Sequence, residues 1–348
     1  MKIKVLVVDD SAVIRNILSA IIDEQADMVV VGSAPDPLVA KDLIGKLNPD
    51  VVTLDIEMPH MNGLAFLKRL MAVRPMPVVM LSSFTQQGSD VAFQALSLGA
   101  VDFVGKPQLG APVDERYARS IVDAIRGAHA ARHNLQPPSS APRDAKAVLP
   151  NLGKRAQTLQ QVVVMGAATG GAEAVREILT QLPDDSPPVV LALQLPPGIS
   201  RHFVKRLQAE CKVTIREAGD GEPILPGHVY VAPTGSGMTI AKYESRGYGI
   251  ALAPAKPGDA TVDALFHSAA EAAGPNACGV ILTGMGSDGA QGMRALFDRG
   301  AHTIAQDQLT SLVYGMPKAA LENGAVSVEA PLDKIAKHVL GWASWTDV

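Results

Sequence analysis

Three carboxylates, a hydroxyl and an amine near the start of the chain have the types and spacing to act together. Asp9 and Asp10 follow the apolar run Val5–Val8, Asp55 follows Val51–Leu54, Ser82 follows Val78–Leu81, and Lys106 comes just after Val101–Val104. Acids brought together repel unless a cation joins them, and hard oxygen ligands with water positions left open suit Mg²⁺. The Lys106 ammonium would hold a phosphoryl oxygen, and the Ser82 hydroxyl another. A carboxylate can also act as a nucleophile and carry a phosphoryl group. One Asp-Asp pair after one strand is no more than a solvated turn. Suitable residue types at successive strand ends are a site.

Such residues need a scaffold that gathers strand ends. Residues 1 to 126 alternate short, almost continuously apolar predicted strands (the four runs above and Met28–Val31) with amphipathic helices. Between the first two strands, Ile14, Ile17, Leu18, Ile21 and Ile22 fall at helical spacing on one face. Strands of this kind form a parallel sheet covered by helices on both faces, a flavodoxin-like arrangement whose strand ends converge on one crevice.

Residues 127 to 158 read as an exposed linker. The stretch His133-Asn134-Leu135-Gln136-Pro137-Pro138-Ser139-Ser140-Ala141-Pro142 has no apolar period and is dense in Pro and Ser. A second α/β pattern occupies 159 to 348. Its predicted strands are Gln161–Met165, Val189–Leu193, Val213–Glu217, Val229–Val231, Met238–Ala241, Gly249–Leu252, Val280–Leu282 and Thr303–Ala305. Predicted helices are Ala172–Gln181, Ser200–Glu210, Val262–Ala273, Ala290–Asp298 and Pro317–Glu322. The middle strands leave no room for helices, so an antiparallel section is expected inside a mainly parallel, Rossmann-like sheet. The fold class is α/β, with two doubly wound sheets.

At 348 residues, 47% apolar and 19% charged, the chain can fill two ordinary cores. Its 31 Lys+Arg against 35 Asp+Glu are too balanced for a chain devoted to nucleic acid phosphates, and no basic recognition helix is visible. Two cysteines, Cys211 and Cys278, exclude a disulfide scaffold or a Cys-rich zinc module. The opening apolar run is too short for a signal peptide and closes on two acids. No apolar stretch is long enough to cross a membrane. A cytoplasmic protein without nucleic acid binding or membrane insertion is expected.

The first region resembles a two-component receiver domain. The resemblance rests on Val7-Val8-Asp9-Asp10, Thr53-Leu54-Asp55-Ile56-Glu57-Met58-Pro59, Asn62-Gly63-Leu64, Leu81-Ser82-Ser83 and Gly105-Lys106-Pro107. It implies that Asp55 accepts the phosphoryl group, that Asp9 and Asp10 with Asp55 hold Mg²⁺, and that Ser82 and Phe103 read the phosphate beside Lys106. Lys106-Pro107 is a candidate cis peptide.

The second region resembles the catalytic domain of the chemotaxis protein-glutamate methylesterases, which are themselves receiver-controlled. Matching stretches are Gly166-Ala167-Ala168-Thr169-Gly170-Gly171, Glu222–His228, Val262–Ser268, Gly279–Gly289 and Gly315-Met316-Pro317. That family hydrolyses methyl esters on receptor glutamates and deamidates receptor glutamines with a Ser-His-Asp triad, and needs no cofactor in this domain. The resemblance implies a chemotaxis-type histidine kinase and methyl-accepting chemoreceptor tails as partners. Two family positions depart from the pattern. The serine position is Ala168, the histidine position is Gln194, and only the aspartate remains, as Asp288. Alanine has no nucleophile, and glutamine is no base near neutral pH. A basic stretch usual near Asp263 is replaced by Pro257-Gly258-Asp259-Ala260.

Substitutes are poor. Thr169 is one position along the turn, and His202, His228 and His267 read as structural or surface residues. The Gly-rich turn lacks the Gly-x-Gly-x-x-Gly spacing and the acid that a dinucleotide site requires. Three readings follow from the sequence. The chain is an adaptation regulator with impaired or lost hydrolysis, a working methylesterase with an unconventional nucleophile, or a phosphoryl sink whose second domain is a scaffold.

Overall fold

Near-continuous apolar runs dictate where the first sheet forms. In the computed structural model, β1 (Ile3–Val8), β2 (Met28–Ala34), β3 (Val51–Asp55), β4 (Val78–Ser82) and β5 (Asp102–Gly105) pair in the order β2-β1-β3-β4-β5. All the pairings are parallel. Every residue of β3 and β4 is buried, as a sheet covered on both faces requires. The residues described are 2–58, 62–82, 86–107, 115–135, 148–149, 161–195, 199–243, 247–256 and 258–345. The chain divides into two units, Met1–Pro142 and Arg143–Val348.

Helix starts in the first unit carry their own caps. Ser11 caps α1 (Ala12–Asp23), Asp36 caps α2 (Pro37–Leu47) with Pro37 in its first turn, and Asn62 caps α3 (Gly63–Val73). Ile14, Leu18, Ile21 and Ile22 of α1 are buried, the face predicted from their spacing. Two further helices, α4 (Gln86–Ser97) and α5 (Glu115–Ala131), complete the unit. The expected boundary at 126 falls inside α5, which continues because Ala128 and Ala131 still bury their methyl groups.

The second unit has a seven-stranded sheet of order β14-β13-β12-β6-β7-β9-β8, parallel throughout. Its strands are β6 (Val162–Ala167), β7 (Val189–Leu193), β8 (Thr214–Glu217), β9 (His228–Val231), β12 (Ala277–Ile281), β13 (His302–Gln306) and β14 (Val328–Ala330). The helices are α6 (Gly171–Leu179), α7 (Ser200–Glu210), α8 (Thr261–Ala272), α9 (Ala290–Asp298), α10 (Met316–Glu322) and α11 (Leu332–Trp345).

An antiparallel section is present, but outside the main sheet. β10 (Ser236–Tyr243) and β11 (Gly247–Pro254) make a separate hairpin. β8 and β9 are parallel because the chain between them crosses back along β11. There Gly221 N–H donates to Ile250 O (2.8 Å), Ile250 N–H to Glu222 O (3.0 Å) and Ile224 N–H to Tyr248 O (2.9 Å). The crossover and the hairpin satisfy each other's backbone.

Gly63 starts α3 directly against the end of β3. A Cβ there would lie 2.0 Å from the Asp55 carbonyl oxygen, a backbone atom that cannot step aside. Gly63→Ala is expected to lower unfolding free energy by roughly 1–3 kcal/mol, read by urea titration of the full chain. An unchanged midpoint would show that the helix can shift freely.

Candidate functional site

Strand ends assemble the acidic cluster. Asp9 and Asp10 leave β1, Asp55 closes β3, and one oxygen from each of the three lies within 4.8 Å of the others. Asp9 and Asp55 are buried, whereas Asp10 is exposed. Each buried acid divides its oxygens in the same way. One accepts a backbone amide two residues ahead, Ser11 N–H to Asp9 (2.9 Å) and Glu57 N–H to Asp55 (3.1 Å). The other meets Lys106 Nζ, at 2.9 Å for Asp9 and 2.7 Å for Asp55.

Burial dominates the electrostatics. It pushes the Asp55 carboxyl up to about 6, against the pull of the Lys106 hydrogen bond and with the help of the Asp9 charge. Burial also disfavours the Lys106 charge, but the two carboxylates outweigh it and raise its pKa. Three carboxylates against one ammonium leave a double negative charge, and all the donors are hard oxygens. That set is compatible with Mg²⁺.

Ser82 and Phe103 lie on the neighbouring strands. Ser82 ends β4, and its carbonyl accepts the Lys106 N–H at 2.8 Å. Phe103 is buried in β5, edge-on to Phe93 of α4 with ring centroids 5.5 Å apart. Lys106–Pro107 is not cis, contrary to expectation. Sequence reasoning passed over Arg15, whose guanidinium donates to the Asp9 carbonyl (2.8 Å) and the Asp10 carbonyl (3.0 Å). The signal was an arginine on the first turns of the helix that follows the acids.

With metal removed, Asp55 titrates near 6 in the folded chain against an ordinary 3.8. Between those values the folded chain holds more protons than the unfolded one, so stability falls as pH rises through the window. The loss is expected to reach roughly 1–3 kcal/mol, read by urea unfolding in EDTA at pH 4.5 and 7. Burial lifts Asp102 to about 6 as well, so the difference from Asp55→Asn isolates Asp55. Identical pH slopes in the two proteins would refute it.

The second unit gathers the other predicted residues at the ends of β6, β7 and β12. Ala168 follows β6, is buried, and donates its N–H to Thr283 O (3.0 Å) beyond β12. Gln194 follows β7, and its N–H donates to Ala167 O (3.1 Å). Its exposed side chain donates from Nε2 to Asp288 Oδ2 at 3.3 Å. Asp288 also accepts the Val262 N–H (3.2 Å) and the Asp263 N–H (2.9 Å). Burial raises the Asp288 pKa despite these donors.

Close backbone approach holds the turn together. A Cβ on Gly284 would meet Met316 Sδ at 2.2 Å and the Ala168 methyl at 2.9 Å. Thr283 donates from Oγ1 to Thr169 O (2.9 Å), and Gln306 Oε1 accepts the Thr283 N–H (2.9 Å). Sequence reasoning missed Gln306, a polar side chain buried at a strand end. The histidines lie apart from this constellation in role. His228 Nδ1 bonds Pro226 O (2.9 Å) and its ring stacks on Tyr230, His267 is exposed on α8, and His202 belongs to α7. Asp259, at the altered rim, accepts the Lys256 N–H at 2.6 Å.

Residues 5–113 match the response regulator receiver domain model, and residues 163–339 match the CheB methylesterase model. The protein-glutamate methylesterase/protein-glutamine glutaminase of Bordetella bronchiseptica is 49% identical over 343 residues, 97% of each chain. The protein of that name from Salmonella typhimurium is 48% identical over 343 residues, 97% of this chain and 96% of that one. The crystal structure of the Thermotoga maritima CheB methylesterase catalytic domain is 32% identical. It covers 52% of this chain and 97% of that one, with a TM-score of 0.50. No helix among the described residues is long and apolar enough to cross a membrane. With relatives matched along nearly its whole length, the chain belongs to the protein-glutamate methylesterase/protein-glutamine glutaminase family of chemotaxis response regulators, a receiver domain followed by a CheB methylesterase domain.

Proposed function

We propose that this protein is a phosphorylation-controlled regulator of receptor adaptation in which ester and amide hydrolysis is impaired or lost. The observation that carries the reading is the Gln194 Nε2 to Asp288 hydrogen bond, with the Ala168 methyl at the adjacent strand end. A carboxamide can take an imidazole's place as a donor to the carboxylate, but it cannot accept a proton from a nucleophile. A methyl group has nothing to attack with. Losing nucleophile and base together costs roughly a millionfold in turnover, about 8 kcal/mol of barrier.

In this reading Asp55 is the phosphoryl acceptor. Mg²⁺, held by Asp9, Asp10 and Asp55, would screen the phosphoryl oxygens. Lys106 leaves its present pairing to hold one of those oxygens, and the Ser82 hydroxyl takes another, with Phe103 following. The phosphoryl donor is a chemotaxis-type histidine kinase, and chemoreceptor tails are the binding partners. The domain division belongs to the proposal: a receiver over 1–126 whose last helix extends to Ala131, a connecting segment to 158, and the methylesterase-type domain from 159 to 348.

Two measurements test it. Incubation with Mg²⁺ and a small phosphodonor labels the wild type but not Asp55→Asn, and equal labelling removes Asp55 from its role. On methylated receptor, the wild type should release methanol at no more than roughly 10³-fold over water, the level an oxyanion site alone would sustain. Ala168→Ser or Gln194→His alone restores little, whereas the pair restores measurable turnover. Vigorous hydrolysis by the unmodified chain would overturn the proposal.

A further inference from the structure

The helices α8 and α9 begin without caps of their own. Their N-cap residues are Ala260 and Gly289, neither of which has a side chain that can accept a hydrogen bond. The first amides of a helix need acceptors, and a cap normally bonds the second or third of them. Here the acceptors come from elsewhere in the chain. In α8, the Val262 N–H donates to Asp288 Oδ2 (3.2 Å) and the Asp263 N–H to Asp288 Oδ1 (2.9 Å). In α9, the Gly292 N–H donates to Asp263 Oδ1 at 2.7 Å.

Asp288 immediately precedes the N-cap of α9, and Asp263 lies in the first turn of α8. Each helix therefore carries the acid that caps the other. We propose that Asp288 and Asp263 form a reciprocal clasp that fixes the starts of α8 and α9 and, through Asp288, positions Gln194 in the crevice. On this assignment Asp288 is a positioning residue whose work does not depend on hydrolysis, and the inference stands whether or not the hydrolytic reading does.

Packing agrees with a clasp. A Cβ on Gly289 would lie 2.6 Å from Val262 Cγ1, and one on Gly292 would lie 2.5 Å from Phe266 Cβ and 2.9 Å from Asp263 O. The two helices thus meet through glycine at both capped turns. Only at that separation can a side chain as short as aspartate span from one to the other. Both oxygens of Asp288 are engaged, Oδ2 by an amide and by Gln194 together.

The test is residue-resolved amide exchange and thermal unfolding of the full chain with Asp288→Ala, Asp288→Asn and Asp263→Ala. Asp288→Ala should speed exchange of Val262 and Asp263 roughly five- to tenfold and lower Tm by about 2–8 °C. Asp263→Ala should act instead on Gly292. Asparagine offers one acceptor oxygen in place of two, so Asp288→Asn should keep protection at only one of the two amides and keeps the question open to measurement if the alanine variant fails to fold. Unchanged exchange at Val262 and Asp263 in Asp288→Ala would overturn the clasp. So would faster exchange spread evenly over the unit, or unchanged exchange at both amides in Asp288→Asn.

Discussion

A strand covered by helices on both faces can carry polar chemistry only at its carboxyl end, and both units obey that constraint. Every residue of β3, β4, β6, β7 and β12 is buried. An unpartnered polar group inside such a strand would cost roughly 2–7 kcal/mol. Asp9, Asp55, Ser82 and Lys106 accordingly lie at or just past strand ends, as do Ala168, Gln194 and Thr283. Thr53, inside β3, is an exception, and its buried hydroxyl has no hydrogen-bond partner among the described residues. The strand order reverses at β1 in one sheet and at β6 in the other. At those reversals the helices leave to opposite faces and a crevice opens.

The two crevices satisfy buried carboxylates by different means. In the first unit Asp9 and Asp55 share one ammonium, and the cluster as a whole stays negative. Opposite charges in contact gain about 4 kcal/mol at an intermediate dielectric, yet burial still lifts Asp55 to about 6. A divalent cation would relieve that imbalance. In the second unit Asp288 is bonded by two backbone amides and a carboxamide. Those donors are neutral, and the two amides are fixed by the backbone. The first site carries uncompensated charge, and the second is satisfied by neutral donors.

Local patterning made most of this legible. Apolar runs revealed the first unit's strands, and acids, hydroxyl and lysine just beyond them revealed the cluster without any long-range information. What stayed hidden depends on pairs of residues distant in the chain. Asp263 looks like an ordinary first-turn acid until α9 is seen to place Gly292 against it. Arg15 looks like a surface residue of α1 until the Asp9 and Asp10 carbonyls turn toward it. Spacing reports strands but not partners, so it cannot show that the hairpin β10–β11 stands outside the main sheet and pairs with the crossover at Gly221–Ile224. β14 has too few residues for a period to register. α11 does carry one, since its buried Ile335, Ala336, Val339, Leu340 and Ala343 fall at helical spacing.

If Gln194 stands where the family has its histidine, as proposed, position 194 separates architecture from chemistry. An imidazole in a hydrolytic triad does two things: one nitrogen donates to the carboxylate, and the other accepts the nucleophile's proton. Glutamine retains the first function, and Gln194 Nε2 does donate to Asp288. The second is absent, because the lone pair of an amide nitrogen is delocalised into its carbonyl and takes up no proton. The carboxylate therefore keeps a donor on Oδ2, and the backbone of Val262 and Asp263 keeps its acceptor. A smaller apolar residue at 194 would have removed that donor from a carboxylate that burial already disfavours. Likewise, alanine at 168 fits where Gly284 approaches within a methyl's width and leaves the N–H to Thr283 in place. Under the proposal each residue lacks a reacting atom while keeping the contacts that shape the crevice. On the proposed reading, a fold built around a triad outlasts the triad's chemistry.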